Sequence, residues 1–241
     1  MSEPNVTVVT RKRTNVKNMT SMAMLTAMAY VVMLLSKALP QVSGFLQMDL
    51  KDTVICIGGF VFGPLAAAII SIVVAVVEMF TYSDTGIIGC IMNVLATVSF
   101  CCTASYVYKN IHTRKGAVIG LACGVVALTV VMVLWNYLIT PIYMKIPRDV
   151  VVSMLPTVFF PFNLAKGGLN MAVILLLYKP VVTALRKAKL LPESRGKNST
   201  VVLNGAPYGE DKKKANAGFL LFALALLATF VTLTLVLMGI I

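Results

Sequence analysis

The sequence predicts an all-α integral membrane protein, a six-helix bundle with one extra C-terminal transmembrane helix. Composition is the first observation: of 241 residues, 59% are hydrophobic and only 12% charged, against roughly 25% charged in a typical soluble domain. Length is the second, because several apolar runs reach the ~20 residues that cross about 30 Å of hydrocarbon as a helix. Those runs lack the alternation of a half-buried strand, which sets a membrane barrel aside.

The apolar runs fall near 21–39, 53–80, 86–108, 116–140, 155–179 and 217–241. The first has basic flanks and no small-residue cleavage site, so it reads as a retained helix rather than a signal peptide. The second contains GGFVFGPLAAA, in which Pro64 lacks a backbone donor and disfavours helix at Gly63. Gly63-Pro64 is therefore expected to be a turn between two short helices.

Charge supports that split. Lys and Arg collect before the first helix (Arg11, Lys12, Arg13, Lys17), in KNIHTRKG, and after Lys179. Basic loops sort to the cytoplasmic side. Only if 53–80 turns back on itself do all three basic segments share one side, with the N-terminus cytoplasmic. Two short helices in that run cannot each span a bilayer, so they need shelter from neighbours. The expected organisation is a cytoplasmic segment 1–20, a six-helix membrane domain 21–186, a polar cytoplasmic linker 187–215, and an additional helix 216–241. That last helix reads as an appended anchor or docking helix outside the site.

The net charge of +12 would suggest nucleic acid in a soluble chain; here it belongs to the loops. The five cysteines lie in apolar segments without paired metal spacing, and His112 has no partner, so no metal site is expected. No phosphate-binding loop or catalytic triad is present, and the chain reads as a non-enzyme.

Ionisable groups inside a membrane helix are costly and usually have a role. In PFNLAKGGLN, Asn163, Lys166 and Asn170 have i, i+3, i+7 spacing and share one helical face. With the helix starting near Leu155, Lys166 lies roughly 16 Å deep, too far for easy snorkelling. Gly167 and Gly168 allow close approach by a neighbour or a ligand. That face is expected to line a polar pocket. Asn136, in WNYLITPIY, and Asn93, in GCIMN, are each either ligand contacts or interhelical hydrogen bonds. The loop PQVSGFLQMDLKD places Leu46, Met48 and Asp49 where an ordered lid could cover the bundle.

Taken in order, AMLTAMAYVVMLL, FLQMDLKD, GGFVFGPLAAAII, GCIMN, NYLITPIY and PFNLAKGGLN resemble the riboflavin-binding S components of energy-coupling-factor (ECF) transporters. The resemblance runs from about Ala23 to Arg186 and leaves VVEMFTYSDTGIIG, with Glu78 and Asp84, unassigned. It implies a plasma-membrane subunit that captures riboflavin from outside, as transported substrate and not as a cofactor. It also implies assembly with a transmembrane coupling subunit and two ABC-type ATPases. By analogy, Asn136, Asn163 and Lys166 make polar contacts to the flavin, with Leu46, Met48 and Asp49 at the lid; Asn170, from its spacing, and Asn93, from its place within a helix, complete the candidate set. Ala23 and Ala27 carry the A-x-x-x-A spacing that meets the coupling subunit in that family. The alternatives are an S component for another vitamin or flavin analogue, and a self-sufficient secondary transporter using Lys166 and Asp49 as proton carriers. The latter is disfavoured, since neither inverted repeats nor paired intramembrane carboxylates are evident.

Overall fold

The computed structural model describes residues 16–82, 85–111, 113–187 and 213–240. The basic N-terminal residues 1–15, Asp84, His112 and most of the expected linker lie outside the described residues. The helices are α1 (Val16–Ser36), α2 (Lys51–Phe62), α3 (Pro64–Thr81), α4 (Gly86–Ile111), α5 (Arg114–Met144), α6 (Arg148–Met154), α7 (Phe160–Lys187) and α8 (Lys213–Leu237). Among the described residues, six helical stretches are long and apolar enough to cross a membrane, α6 and α7 counting as one. Together with the short α2 they make the six-helix bundle and the additional helix. The chain is a multi-pass, all-α membrane protein.

The run 53–80 does divide at Gly63, which has φ +98° and lies between two helices with Pro64 as the first residue of the second. A proline suits that position because its missing N–H would have had no helical partner. Gly63 donates its own N–H to Gly59 O and its carbonyl accepts from Ala66 and Ala67, so the turn leaves few orphan groups. The expectation of two short helices holds for α2 alone. With 18 residues α3 is about 27 Å long, whereas the 12 of α2 give about 18 Å. Shelter is correspondingly complete: Lys51 through Phe60 are all buried, against α1, α3, α4 and α7.

The last core helix begins earlier than hydropathy suggests, at Arg148 instead of near Leu155. Polar residues in IPRDV hide that start. A π turn, Leu155–Phe159, joins α6 to α7, with the Phe160 N–H reaching Leu155 O. The wider turn absorbs Pro156 and Pro161, neither of which can donate into an α-helical ladder.

Small residues set the spacing between helices, as they do where lipid supplies no hydrophobic force for association. Gly120 and Gly124 of α5 press against Ala104 O and Phe100 O of α4. Gly59 of α2 receives the Ser105 side chain, and Gly167 of α7 meets Val125 and Leu128 of α5. Gly168 faces α8, where a Cβ would overlap the Phe230 ring. Both glycines of the AKGG stretch therefore serve neighbouring helices.

Candidate functional site

The turn at Gly63 folds α2 back along α3, which brings the first residue of α2 beside the end of α3. Lys51 Nζ accordingly lies 2.6 Å from Glu78 Oε2. Lys37, just beyond α1, meets Glu78 Oε1 at 3.1 Å. On its other side Lys51 Nζ reaches Asp49 Oδ2 at 3.2 Å, and the same carboxylate oxygen receives Lys166 Nζ of α7 at 3.4 Å. A continuous ionic chain thus runs Lys37, Glu78, Lys51, Asp49, Lys166, with the side chains of Lys51, Asp49 and Glu78 nearly inaccessible.

Amides and hydroxyls bond to most of the remaining groups. Asn170 donates to Asp49 O and Lys166 O and accepts from Thr53 Oγ1. Asn93 donates to Glu78 Oε2 at 3.2 Å. Asp52, fully buried one residue into α2, accepts from Thr97 Oγ1 through one carboxylate oxygen, while its other oxygen has no hydrogen-bond partner among the described residues. In the ionic chain three cations (Lys37, Lys51, Lys166) meet two carboxylates (Asp49, Glu78), so none of these ammoniums stands alone in a region where a lone charge would be costly. Asp49 sits in the loop outside the helices. Burial pushes its carboxyl up, but the Lys51 and Lys166 ammoniums and the Lys51 backbone N–H outweigh burial and hold it well below the ordinary range.

The loop from residue 37 to 50 covers this cluster as an ordered lid. It is tied by Val42 N to Leu46 O at 2.7 Å and by Leu46 N to Val42 O at 3.0 Å. Ser43 and Gly44 both take positive φ at its tip, as mirror-image turns require. Gln47 Nε2 bonds to Lys37 O and the Leu50 N–H to Ser36 Oγ. Val42 and Met48 are each 1% exposed, which no solvated loop would achieve. They pack with Leu46 and with Phe162 and Ala165 of α7, and Phe45 stands edge-on to Phe159.

Of the residues singled out in the sequence, the structure brings Asp49, Lys166 and Asn170 into direct contact and lays Leu46 and Met48 over the start of α7. Asn93 belongs to the neighbouring Glu78 pair. Asn136 and Asn163 are buried, but their amides bond within their own helices: Asn136 to Met132 O and Thr140, Asn163 to Phe159 O. For Asn136 and Asn93 the alternative of an interhelical bond is thus met only by Asn93. Ala23 and Ala27 are exposed on the outer face of α1.

Sequence reasoning missed Lys37, Lys51 and Glu78. Their signal was present, because Glu78 lies inside an apolar helix and Lys51 opens another. It went unread because an acidic and a basic residue 27 positions apart become partners only once the chain turns at Gly63. Across that turn Asp49 and Glu78 share the Lys51 ammonium.

The fold and site together define a class, an all-helical membrane bundle with a buried ion-paired cluster under an ordered loop. A family model for the substrate-specific component of ECF transporters matches residues 17–180, and the chain belongs to that family. Its members are transport subunits, so the chain is a transport component and not an enzyme. It is 28% identical to the riboflavin transporter RibU of Staphylococcus aureus (strain TCH60) over 179 residues, 71% of this chain and 93% of the relative. It is likewise 28% identical to the riboflavin transporter FmnP of Bacillus subtilis (strain 168) over 187 residues, 73% of this chain and 98% of the relative. A solved S component of a bacterial ECF transporter superposes with a TM-score of 0.60 at 29% identity, covering 70% of this chain and 98% of that one.

Proposed function

We propose that this chain is the riboflavin-binding subunit of an ECF-type importer, capturing the vitamin from outside for ATP-driven uptake with a coupling subunit and two ABC-type ATPases. The observation that carries the reading is the pairing of two relatives, both riboflavin transporters matched over nearly their whole length, with a buried polar floor beneath an ordered apolar lid. Riboflavin suits such a site chemically. Its isoalloxazine ring is flat and largely apolar, with an edge of carbonyls and an N–H. Asn side chains offer both donor and acceptor to that edge, and Lys offers donors only.

In this reading Leu46 and Met48 cover the ring, Asn136, Asn163 and Lys166 contact its polar groups, and Asp49, Asn170 and Asn93 hold the floor in shape. Asn136 and Asn163 bond to carbonyls of the preceding turn, so ligand contact would require those amides to be released. Riboflavin is the cargo, and the subunit needs no cofactor of its own. The distribution of basic segments supports a cytoplasmic N-terminus, which would put the lid outside.

The test is the absorption spectrum of gently purified protein together with quenching of riboflavin fluorescence. A bound flavin spectrum or saturable quenching supports the reading. Asn163→Ala combined with Lys166→Ala should abolish binding while the protein stays folded, and full binding by that variant would remove these residues from the site. Competition by FMN, thiamine or biotin separates riboflavin from another vitamin. Uptake by the chain reconstituted without any ATPase would favour a secondary transporter.

A further inference from the structure

The additional helix is more than an anchor. Phe219, Ala223, Leu226, Phe230, Leu233 and Leu237 recur at alternating steps of four and three along α8, the spacing of a seam between two packed helices. Ala223 is fully buried, Phe219 and Leu226 pack on the main core, and the Phe230 ring fills the notch that Gly168 leaves in α7. The far end of the same seam continues past α7. Leu233, Leu237 and Met238 pack against the cluster formed by the lid residues Val42 and Met48 with Phe162 and Ala165, and Leu46 joins them. The helix therefore runs antiparallel to α7 and ends beside the loop that covers the site.

This material lies outside the family match, which stops at residue 180. The solved S component is covered almost completely while only 70% of this chain is used. In the described structure, then, a segment beyond the family core forms one wall of the lid's apolar seat.

We infer that α8 braces the lid, so that the Phe230–Gly168 contact seats the helix and Leu233 and Leu237 hold Val42, Leu46 and Met48 closed over the ligand. These are positioning residues: they join the apolar cluster in which the lid is seated. The brace would slow opening and so lengthen ligand residence, because opening must separate the lid from α8 as well as from α7. As a statement about ligand release it rests on the riboflavin reading; as a statement about lid opening it does not.

The experiment uses the full chain in lipid nanodiscs, with Phe230→Ala, Phe230→Leu, and the pair Leu233→Ala with Leu237→Ala. The control pair is Leu221→Ala with Leu224→Ala, on the exposed side of α8. Hydrogen exchange at the Val42 and Leu46 amides, measured without ligand, reports lid opening. Amides of α4 and α5 report whether each variant is folded, and the milder Phe230→Leu retains a test should Phe230→Ala unfold. Riboflavin release is followed by fluorescence after dilution. The seam variants should raise exchange at Val42 and Leu46 and speed release roughly tenfold, the factor that about 1.4 kcal/mol supplies, with the control pair unchanged. Unaltered lid exchange in folded seam variants would overturn the brace, as would an equal effect of the control pair. A wild-type protein that binds no riboflavin would defeat the functional reading alone, leaving the exchange measurement to decide the brace.

Discussion

Asp49 and Lys166 are 117 residues apart in sequence and meet at 3.4 Å, the one at the end of the lid and the other in the middle of the last core helix. Their contact joins lid to floor. Lys51, at 3.2 Å from the same oxygen, extends it to Glu78 and Lys37. A lysine in an apolar helix is tolerated here because a carboxylate lies next to it, itself oriented by its contact with the Lys51 backbone N–H at 2.9 Å.

Breaking that pair from one side should therefore cost stability. Removing one member of a buried ion pair typically costs about 3–5 kcal/mol. Asp49→Asn should lower thermal stability in detergent by about 3 kcal/mol, at the low end because Lys51 retains Glu78. Lys166→Met with Asp49→Asn should lose less than the sum of the singles, by about 1 kcal/mol or more. Strict additivity would show that the two charges do not support one another.

The depressed Asp49 carboxyl also sets a pH dependence, and its sign is definite. A carboxyl more acidic folded than unfolded stabilises the fold fully above the unfolded value, about 3.9. That contribution falls away as pH drops below it. Wild-type stability should hold between pH 8 and 5 as far as Asp49 is concerned, and decline below about 4. The difference between wild type and Asp49→Asn should shrink over the same acid range. A difference that grew with acidity would contradict the ion-pair assignment.

Gly63 is held at φ +98° with no atom within 4 Å of where a Cβ would stand. The cost of Gly63→Ala should thus be conformational strain alone, about 1–3 kcal/mol. Gly218, in α8 and equally open, has no positive φ, so Gly218→Ala should be neutral or stabilising by up to about 1 kcal/mol. Paired melting curves of the two variants check this.

On α1 the exposed Ala23 and Ala27 make a flat strip that lipid or a partner helix can approach. If that strip receives the coupling subunit, Ala27→Trp should reduce co-purification with it severalfold and leave riboflavin binding within about twofold of wild type. Loss of binding with intact assembly would reverse the assignment.

Much of the architecture was legible in the residues. Apolar length placed the membrane helices, and the turn at Gly63 followed from one Gly-Pro pair and the distribution of loop charges. The i, i+3, i+7 spacing put Lys166 and Asn170 on one face, and FLQMDL announced a loop too apolar to be solvated. These features are local, so the sequence displays them directly.

The partnerships were decided only in three dimensions. Glu78 carried no meaning until the α2–α3 turn set it beside Lys51, and the early start at Arg148 was masked by polar residues and two prolines that a π turn accommodates. The role of α8 was hidden for a different reason. A helix that is apolar all round shows no face by composition, so the seam through Phe230, Leu233 and Leu237 is defined by what it packs against. Length and periodicity determined that the chain crosses the membrane. Packing alone determined that its last helix lies along α7 and ends in the lid's apolar cluster, because in lipid a helix finds its neighbour by fit, here one phenyl ring in the notch of one glycine.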